Sequence, residues 1–125
     1  MSSRLFRVRI TASAKNDLRR IGKRYGKKTY QTIRDLIRGL EVEPDKKGEP
    51  LRGRLRGLYS CHYSRFRVVY RIDQGELSVL VVGTGYHEAD SRTDIYKVLE
   101  RLVESGRLVI QEDAAGGSTK SDDTD

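Results

Sequence analysis

Between residues 58 and 83 the chain alternates apolar and polar side chains in three runs, 58–63, 66–73 and 76–83, separated by connections too short for anything but hairpins. Gln74-Gly75 suits a two-residue turn, with glycine supplying the positive φ, and Ser64-Arg65 occupies the corresponding place between the first two runs. With two-residue turns the pairing follows by arithmetic. His62 faces Arg67, Ser60 faces Val69 and Leu58 faces Arg71, while on the second hairpin Arg67 faces Val82 and Arg71 faces Ser78. Directly opposed side chains share a face, so Ser60, His62, Arg67 and Arg71 lie on one side of the sheet. Phe66, Val68, Tyr70 and Ile72 lie on the other, and this apolar set is the one expected to be buried by helices.

The helices stand on either side of that core. Residues 5–10 alternate Phe6, Val8 and Ile10 with Arg7 and Arg9 as a half-buried strand does. Thr11 or Ser13 can cap a helix carrying Ala14, Leu18 and Ile21 on one face. After a break bracketed by Gly22 and Gly26, Ile33, Leu36, Ile37 and Leu40 mark a second helix, from about Lys28 to before Pro44. Residues 45–57 form a basic loop. Gly83-Thr84-Gly85 is expected to break the last strand. Asp90 or Ser91 can then cap a final helix bearing Ile95, Val98, Leu99 and Leu102, stopping at Gly106. Residues 107–111 fit a short edge strand or a packed extension. The order is β-α-α-β-β-β-α, an α+β fold in which a helical hairpin and a C-terminal helix pack on a twisted antiparallel sheet. Residues 1–110 form the domain, and residues 111–125, low in apolar side chains, are expected to be a disordered acidic tail.

Charge narrows the partners. The chain of 125 residues carries a net +7, but the last fifteen residues set five carboxylates against Lys120, a net of −4 that leaves the body at +11. A domain that basic implies a polyanionic partner, an acidic protein partner, or both in turn. The single cysteine, Cys61, excludes an intramolecular disulfide and suits a reducing cytosol. Lying in a strand without a ligand set, it is expected to be core and not a metal ligand or nucleophile. No stretch approaches the roughly 20 apolar residues of a membrane helix, so the expectation is a cytoplasmic protein with no membrane partner. There is no phosphate-binding glycine loop, zinc spacing or Ser-His-Asp order.

Cleavage of RNA without a metal or other cofactor needs a base for the 2′-hydroxyl, a cation for the phosphorane and an acid for the departing 5′-oxygen. Arg67 offers the cation, since a guanidinium can hold two phosphate oxygens at once; as a strand arginine it could equally stay in solvent. His62 opposite it sets two potential cations side by side, which favours an anion between them. Glu49 is the candidate base, with a surface ion pair to Arg52 or Arg54 as the alternative. His87 is the candidate acid, against an exposed loop histidine. Arg52, Arg54 and Arg56 alternate in a manner that suits backbone phosphates or simply a solvated loop. Tyr86 and Tyr96 can stack on unpaired bases, and Tyr96 is equally placed to pack the last helix.

The motifs E-P-L-R-G-R-L-R-G-L-Y, R-V-V-Y, G-Y-H and D-I-Y-K resemble the RelE/ParE superfamily of bacterial toxins, over about residues 4–102. The leader K-G-E-P-L-R-G is most similar to the YoeB-like members, which are ribosome-dependent mRNA endoribonucleases. The resemblance implies that Glu49 is the general base, that Arg67 stabilises the transition state, that His87 supplies the basic residue after the last strand, and that Tyr96 orients mRNA. Arg52, Arg54, Arg56, His62, Arg65, Arg71, Tyr86 and Arg92 would then contact RNA. It further implies a type II toxin acting on the ribosome and its mRNA, and an oligomer with a cognate antitoxin that wraps the basic sheet face. Two departures stand out. Ser60 and His62 occupy positions where relatives carry basic residues, so a lysine pair of the RelE type is missing. An insertion, E-A-D-S-R-T-D-I, separates His87 from Tyr96, and its Arg92 could supply a cation. The alternatives are a ParE-like DNA gyrase inhibitor without nuclease activity, and a toxin-fold remnant retained for operator binding.

Overall fold

The computed structural model describes residues 5–110 of the chain. Strand β1 (Arg7–Ile10) leads into helix α1 (Ala12–Tyr25), whose first turn is closed by Thr11 Oγ1 accepting from the Ala14 amide at 3.1 Å. Gly26, at φ +103°, ends α1 and starts α2 (Lys27–Arg38), a backbone conformation that side chains disfavour. Ala14, Leu18 and Ile21 of α1 and Ile33 and Ile37 of α2 fall at helical spacing and are all buried. They pack with Phe66, Val68, Tyr70 and Ile72, so the apolar face of the sheet meets the helical hairpin as the alternation predicts.

Two short elements follow that the sequence does not announce. After a 3-10 turn at Gly39–Glu41, helix α3 (Pro44–Lys47) and strand β2 (Glu49–Pro50) replace part of the expected loop, ahead of a second 3-10 turn at Gly53–Leu55. The Tyr70 hydroxyl donates to the Pro44 carbonyl at 2.7 Å inside the protein and ties α3 to the sheet. Strands β3 (Tyr59–Tyr63), β4 (Phe66–Asp73) and β5 (Ser78–Tyr86) complete a sheet of order β1-β5-β4-β3-β2. Its pairs are antiparallel except β1 with β5, which run parallel at the opposite edge from β2. The helical hairpin and the β2–β3–β4 run both lie between β1 and β5 in sequence, which leaves ample chain for the long connection that a parallel pair needs.

The β3–β4 turn is the expected two-residue Ser64-Arg65, with Ser64 at φ +55°, and it sets His62 against Arg67 and Ser60 against Val69. The β4–β5 turn is not the expected Gln74-Gly75. Asp73 pairs with Ser78 across four residues, because the Asp73 carboxylate accepts from the Glu76 amide at 3.0 Å and Leu77, not Gly75, takes the positive φ. Further along, Val69 pairs with Gly83 but Tyr70 with Val81, leaving Val82 as a bulge. Arg71 therefore faces Leu80 and not Ser78, and Arg67 faces Gly85 and not Val82. Nor does Gly83-Thr84-Gly85 end the strand, which stays paired to Tyr86.

The second face of the sheet is closed by α4 (Ile95–Glu104), whose Ile95 and Leu99 pack with Leu55, Leu58, Val69 and Val82. A Cβ on Gly83 would sit 3.0 Å from Leu99, and one on Gly85 3.2 Å from Ile95. The two glycines thus let the helix axis approach the strand. The cap of α4 is Asp94, not Asp90 or Ser91. After α4 the chain is the packed extension and not an edge strand: Leu108 and Ile110 lie half-buried against the same cluster. Cys61 is core, and burial pushes its thiol up to about 11. The expected acidic tail lies outside the described residues. No helix among the described residues is long and apolar enough to cross a membrane.

One carboxylate joins the two layers where β1 stops. Beyond the Thr11 amide, which donates to the Val81 carbonyl, β5 has no strand on its β1 side, and the Thr84 amide donates instead to Asp17 Oδ2 at 3.1 Å. Asp17→Ala is expected to lower stability by about 1–3 kcal/mol, the cost of leaving a buried donor unpaired, read as a fall in urea midpoint at unchanged slope.

Candidate active site

Register brings the proposed chemistry into two adjacent rows on the face that α4 covers. One row runs Glu49, Ser60, Val69, Gly83, and the next runs His62, Arg67, Gly85. The interior of the first row is buried, with Ser60 8% exposed, while its end at Glu49 is open. His62 is exposed and Arg67 half-buried. The Cα atoms of Glu49 and Arg67 are about 12 Å apart by strand spacing and rise, a gap that a glutamate and an arginine side chain can close around a phosphodiester. Arg67 Nη1 donates to the Ser64 and Phe66 carbonyls at 3.0 and 3.2 Å, which fixes the guanidinium over the β3–β4 turn.

Glu49 owes its position to its neighbour. A Cβ on Gly48 would lie 2.6 Å from both the Ser60 carbonyl oxygen and the Tyr70 hydroxyl oxygen. Only a residue without one lets the two-residue β2 reach β3 and deliver Glu49 beside Ser60.

The N-terminus of α4 supplies the other half. His87 follows β5, and its amide donates to the Arg65 carbonyl at 2.7 Å. Its Nδ1 is 2.6 Å from Asp94 Oδ1. The same oxygen accepts from the Glu88 amide at 2.7 Å, and Asp94 Oδ2 accepts from the Tyr96 and Lys97 amides at 3.1 and 3.3 Å. Burial alone would raise the Asp94 pKa. The Glu88 amide, the His87 ring and the Lys97 amide outweigh it and hold the carboxyl below its ordinary value. The Tyr96 ring meets the His87 ring edge-on at 4.9 Å, and its hydroxyl is 2.8 Å from Ser60 Oγ. Asp94, His87, Tyr96 and Ser60 therefore form one contact chain that ends at the row containing Glu49.

Not every expected site residue joins this rim. Arg71 shares the face of Arg67 but lies four residues along β4, about 13 Å away. Arg54 is ion-paired with Glu104 at the far end of α4, not with Glu49. Arg52 and Arg56 are exposed around the 3-10 turn. Tyr86 packs against Phe66 and stacks on Tyr25, with the Arg65 guanidinium 5.7 Å from its ring centre. Arg92 is exposed in the β5–α4 connection, and its carbonyl accepts from Arg101. Two residues had been given no role by the sequence. Ser60 braces Tyr96, and Asp94 holds His87. The spacing H-x6-D ahead of the apolar period of α4 was the available signal for Asp94.

The family model described as ParE toxin of type II toxin-antitoxin system, parDE, matches residues 8–91, which is β1 through the residues just after β5. Toxin RelG of Mycobacterium tuberculosis is 32% identical over 92 residues, 74% of this chain and 97% of that protein. The chain is a type II toxin of the RelE/ParE superfamily. The toxin also superposes on the RelBE2 toxin–antitoxin complex of Mycobacterium tuberculosis with a TM-score of 0.58 at 27% identity, over 66% of this chain and 99% of that one. A YoeB/ParE toxin from Agrobacterium tumefaciens gives 0.56 at 26% identity, over 66% of this chain and all of that one. The family match stops before Asp94 and Tyr96, so the residues that hold His87 belong to the segment beyond it.

Two outcomes are expected of these contacts. Gly48→Ala should push β2 off β3 and cost about 1–3 kcal/mol in denaturation experiments, as overpacking does. Asp94 is held below its ordinary pKa, so its contribution to stability is complete above about pH 4 and is lost as pH falls through the folded value. The destabilisation caused by Asp94→Ala, measured by urea titration, should therefore be fully present above about pH 4 and shrink as the pH is lowered further.

Proposed function

We propose that the toxin is a ribosome-dependent mRNA endoribonuclease that inhibits translation and works without a metal. The observation that supports this reading is that Glu49 and Arg67 lie in neighbouring rows of one sheet face, with an oriented His87 linked to the first row through Tyr96 and Ser60. A base, a phosphate clamp and an acid are the three groups that 2′-hydroxyl attack requires.

In this reading Glu49 takes the proton of the 2′-hydroxyl, whose oxygen attacks the adjacent phosphorus. Arg67 donates to the equatorial phosphorane oxygens, and His62 beside it adds a second donor. His87, as imidazolium, gives its Nε2 proton to the 5′-oxygen as the P–O5′ bond breaks. The products are a 2′,3′-cyclic phosphate and a 5′-hydroxyl end. The ribosome supplies substrate alignment, and the basic body, with Arg52, Arg56, Arg65 and Arg71 on its surface, supplies sequence-independent affinity for RNA. The toxin would work in the cytoplasm. Its partner between episodes of activity would be a cognate antitoxin, as the RelBE2 neighbour was solved with one.

Mapping of mRNA 5′ ends after induction in cells tests the reading. Wild type should give translation-dependent cuts bearing 5′-hydroxyls, and a 2′-deoxy nucleotide at the cut site should abolish cleavage in a reconstituted ribosome assay. Glu49→Ala, Arg67→Ala and His87→Ala should each lower the single-turnover rate by about 10²–10⁴-fold. Intact mRNA with a DNA-damage response insensitive to Glu49→Ala would instead mark a gyrase inhibitor.

A further inference from the structure

Asp94 makes more contacts than a helix cap needs. The capping work is done by Oδ2, which accepts from the Tyr96 and Lys97 amides, while Oδ1 turns the other way to the His87 ring and the Glu88 amide. The carboxylate is 3% exposed, whereas the His87 side chain is 33% exposed. An ionised carboxylate only accepts hydrogen bonds, so the proton in the 2.6 Å contact sits on Nδ1 of His87. The His87 backbone is tied to the Arg65 carbonyl and its ring edge rests on Tyr96. With Nδ1 held against a buried group, Nε2 is the ring nitrogen left to meet a substrate.

We propose that Asp94 is a positioning residue for the reaction, fixing the orientation and tautomer of His87 so that Nε2 presents to the scissile phosphate. The inference rests on the nuclease reading above for its catalytic meaning, but its geometric content is independent of it. Asp94 takes no proton at any step. Nδ1–H stays donated to Asp94 while the Nε2 proton moves to the 5′-oxygen, and the carboxylate stabilises the imidazolium before that transfer. A positioned acid of this kind is set by two contacts to the ring. Asp94 fixes one nitrogen, and the Tyr96 ring, braced by Ser60, blocks rotation away from the rim.

Two measurements decide it. The first is the tautomer of His87 in the full-length wild-type protein, by long-range 1H–15N correlation above the pH at which its imidazole titrates. The sequence has two histidines, so His62→Gln assigns the spectrum. His87 should show a protonated Nδ1 and a bare Nε2, and the reverse tautomer would overturn the proposal. The second is a double-mutant cycle in the ribosome cleavage assay. Asp94→Asn, with its oxygen kept on the Tyr96 and Lys97 amides, turns its NH2 to the ring, so Nδ1 loses its acceptor. It should slow the single-turnover rate roughly 10- to 100-fold, with KM changed less than about twofold. Added to His87→Ala, the same substitution should cause no further slowing. If it slows the His87→Ala variant by its full factor, Asp94 serves the fold alone and the proposal falls. Should Asp94→Asn fail to fold, the wild-type tautomer decides by itself. Should the wild type cleave no RNA, the nuclease reading fails, and the tautomer still decides whether Asp94 orients His87.

Discussion

The central strand β4 is buried from both sides, and most of the molecule's arrangement follows from that. Val68, Val69 and Tyr70 have no solvent exposure, though they point alternately to the α1–α2 layer and to α4. A strand so enclosed can offer a polar side chain only near its ends. Arg67 lies one residue in from the β3–β4 turn, where α4 has only begun, and it is half-exposed for that reason. Any polar chemistry on this face is thereby confined to a rim, where the ends of β3, β4 and β5 meet the first turn of α4. Closing the face also fixes the distance. Gly83 and Gly85 allow the helix down onto the strand, and only at that separation can Tyr96 reach Ser60 while Asp94 reaches His87.

The same enclosure explains which parts of the fold could be read from residues. The face assignment of Ser60, His62 and Arg67 survives intact, because the β3–β4 turn has the expected two residues and pairing across it is local. The β4–β5 turn is longer by two residues than Gln74-Gly75 suggests, an even error that preserves which side each residue faces. The odd residue is absorbed at the Val82 bulge, where two successive β5 residues turn toward α4, and alternation alone carries no mark of it. The cap of α4 failed for a different reason. Asp90, Ser91 and Asp94 are all acceptable caps by local propensity. The choice among them is made by His87 and the Glu88 amide, which local patterning does not contain. Parallel pairing of β1 with β5 is likewise a contact between distant stretches, decided by the path of the chain between them and not by either strand's own pattern.

The candidate site divides along the same line. Glu49, Arg67 and His87 came from family motifs, and the fold sets the first two in neighbouring rows through β3. How His87 is held left only the H-x6-D spacing as a trace in the sequence, since it depends on a carboxylate seven residues away across a turn. Arg54 shows the converse. Its alternative to an RNA contact was an ion pair with Glu49, and its carboxylate partner is Glu104 of α4.

Charge separation gives these details a common logic. In a body of net +11 the two carboxylates that matter most to the packing, Asp17 and Asp94, turn inward and accept backbone amides. Each satisfies donors that no strand or helix neighbour reaches, Thr84 beyond the end of β1 and the first amides of α4. Most of the arginines and lysines stay outside, where a polyanion would meet them. Affinity of that kind is sequence-independent and salt-sensitive, so it cannot by itself distinguish a nuclease from a binding module built on the same fold. The distinction must reside in the few polar groups of this face whose placement electrostatics does not explain. Glu49 is the sharpest of these. An exposed carboxylate weakens the attraction of a basic surface for RNA, and yet Gly48, where a Cβ would collide with Ser60 and Tyr70, brings Glu49 into register opposite Ser60.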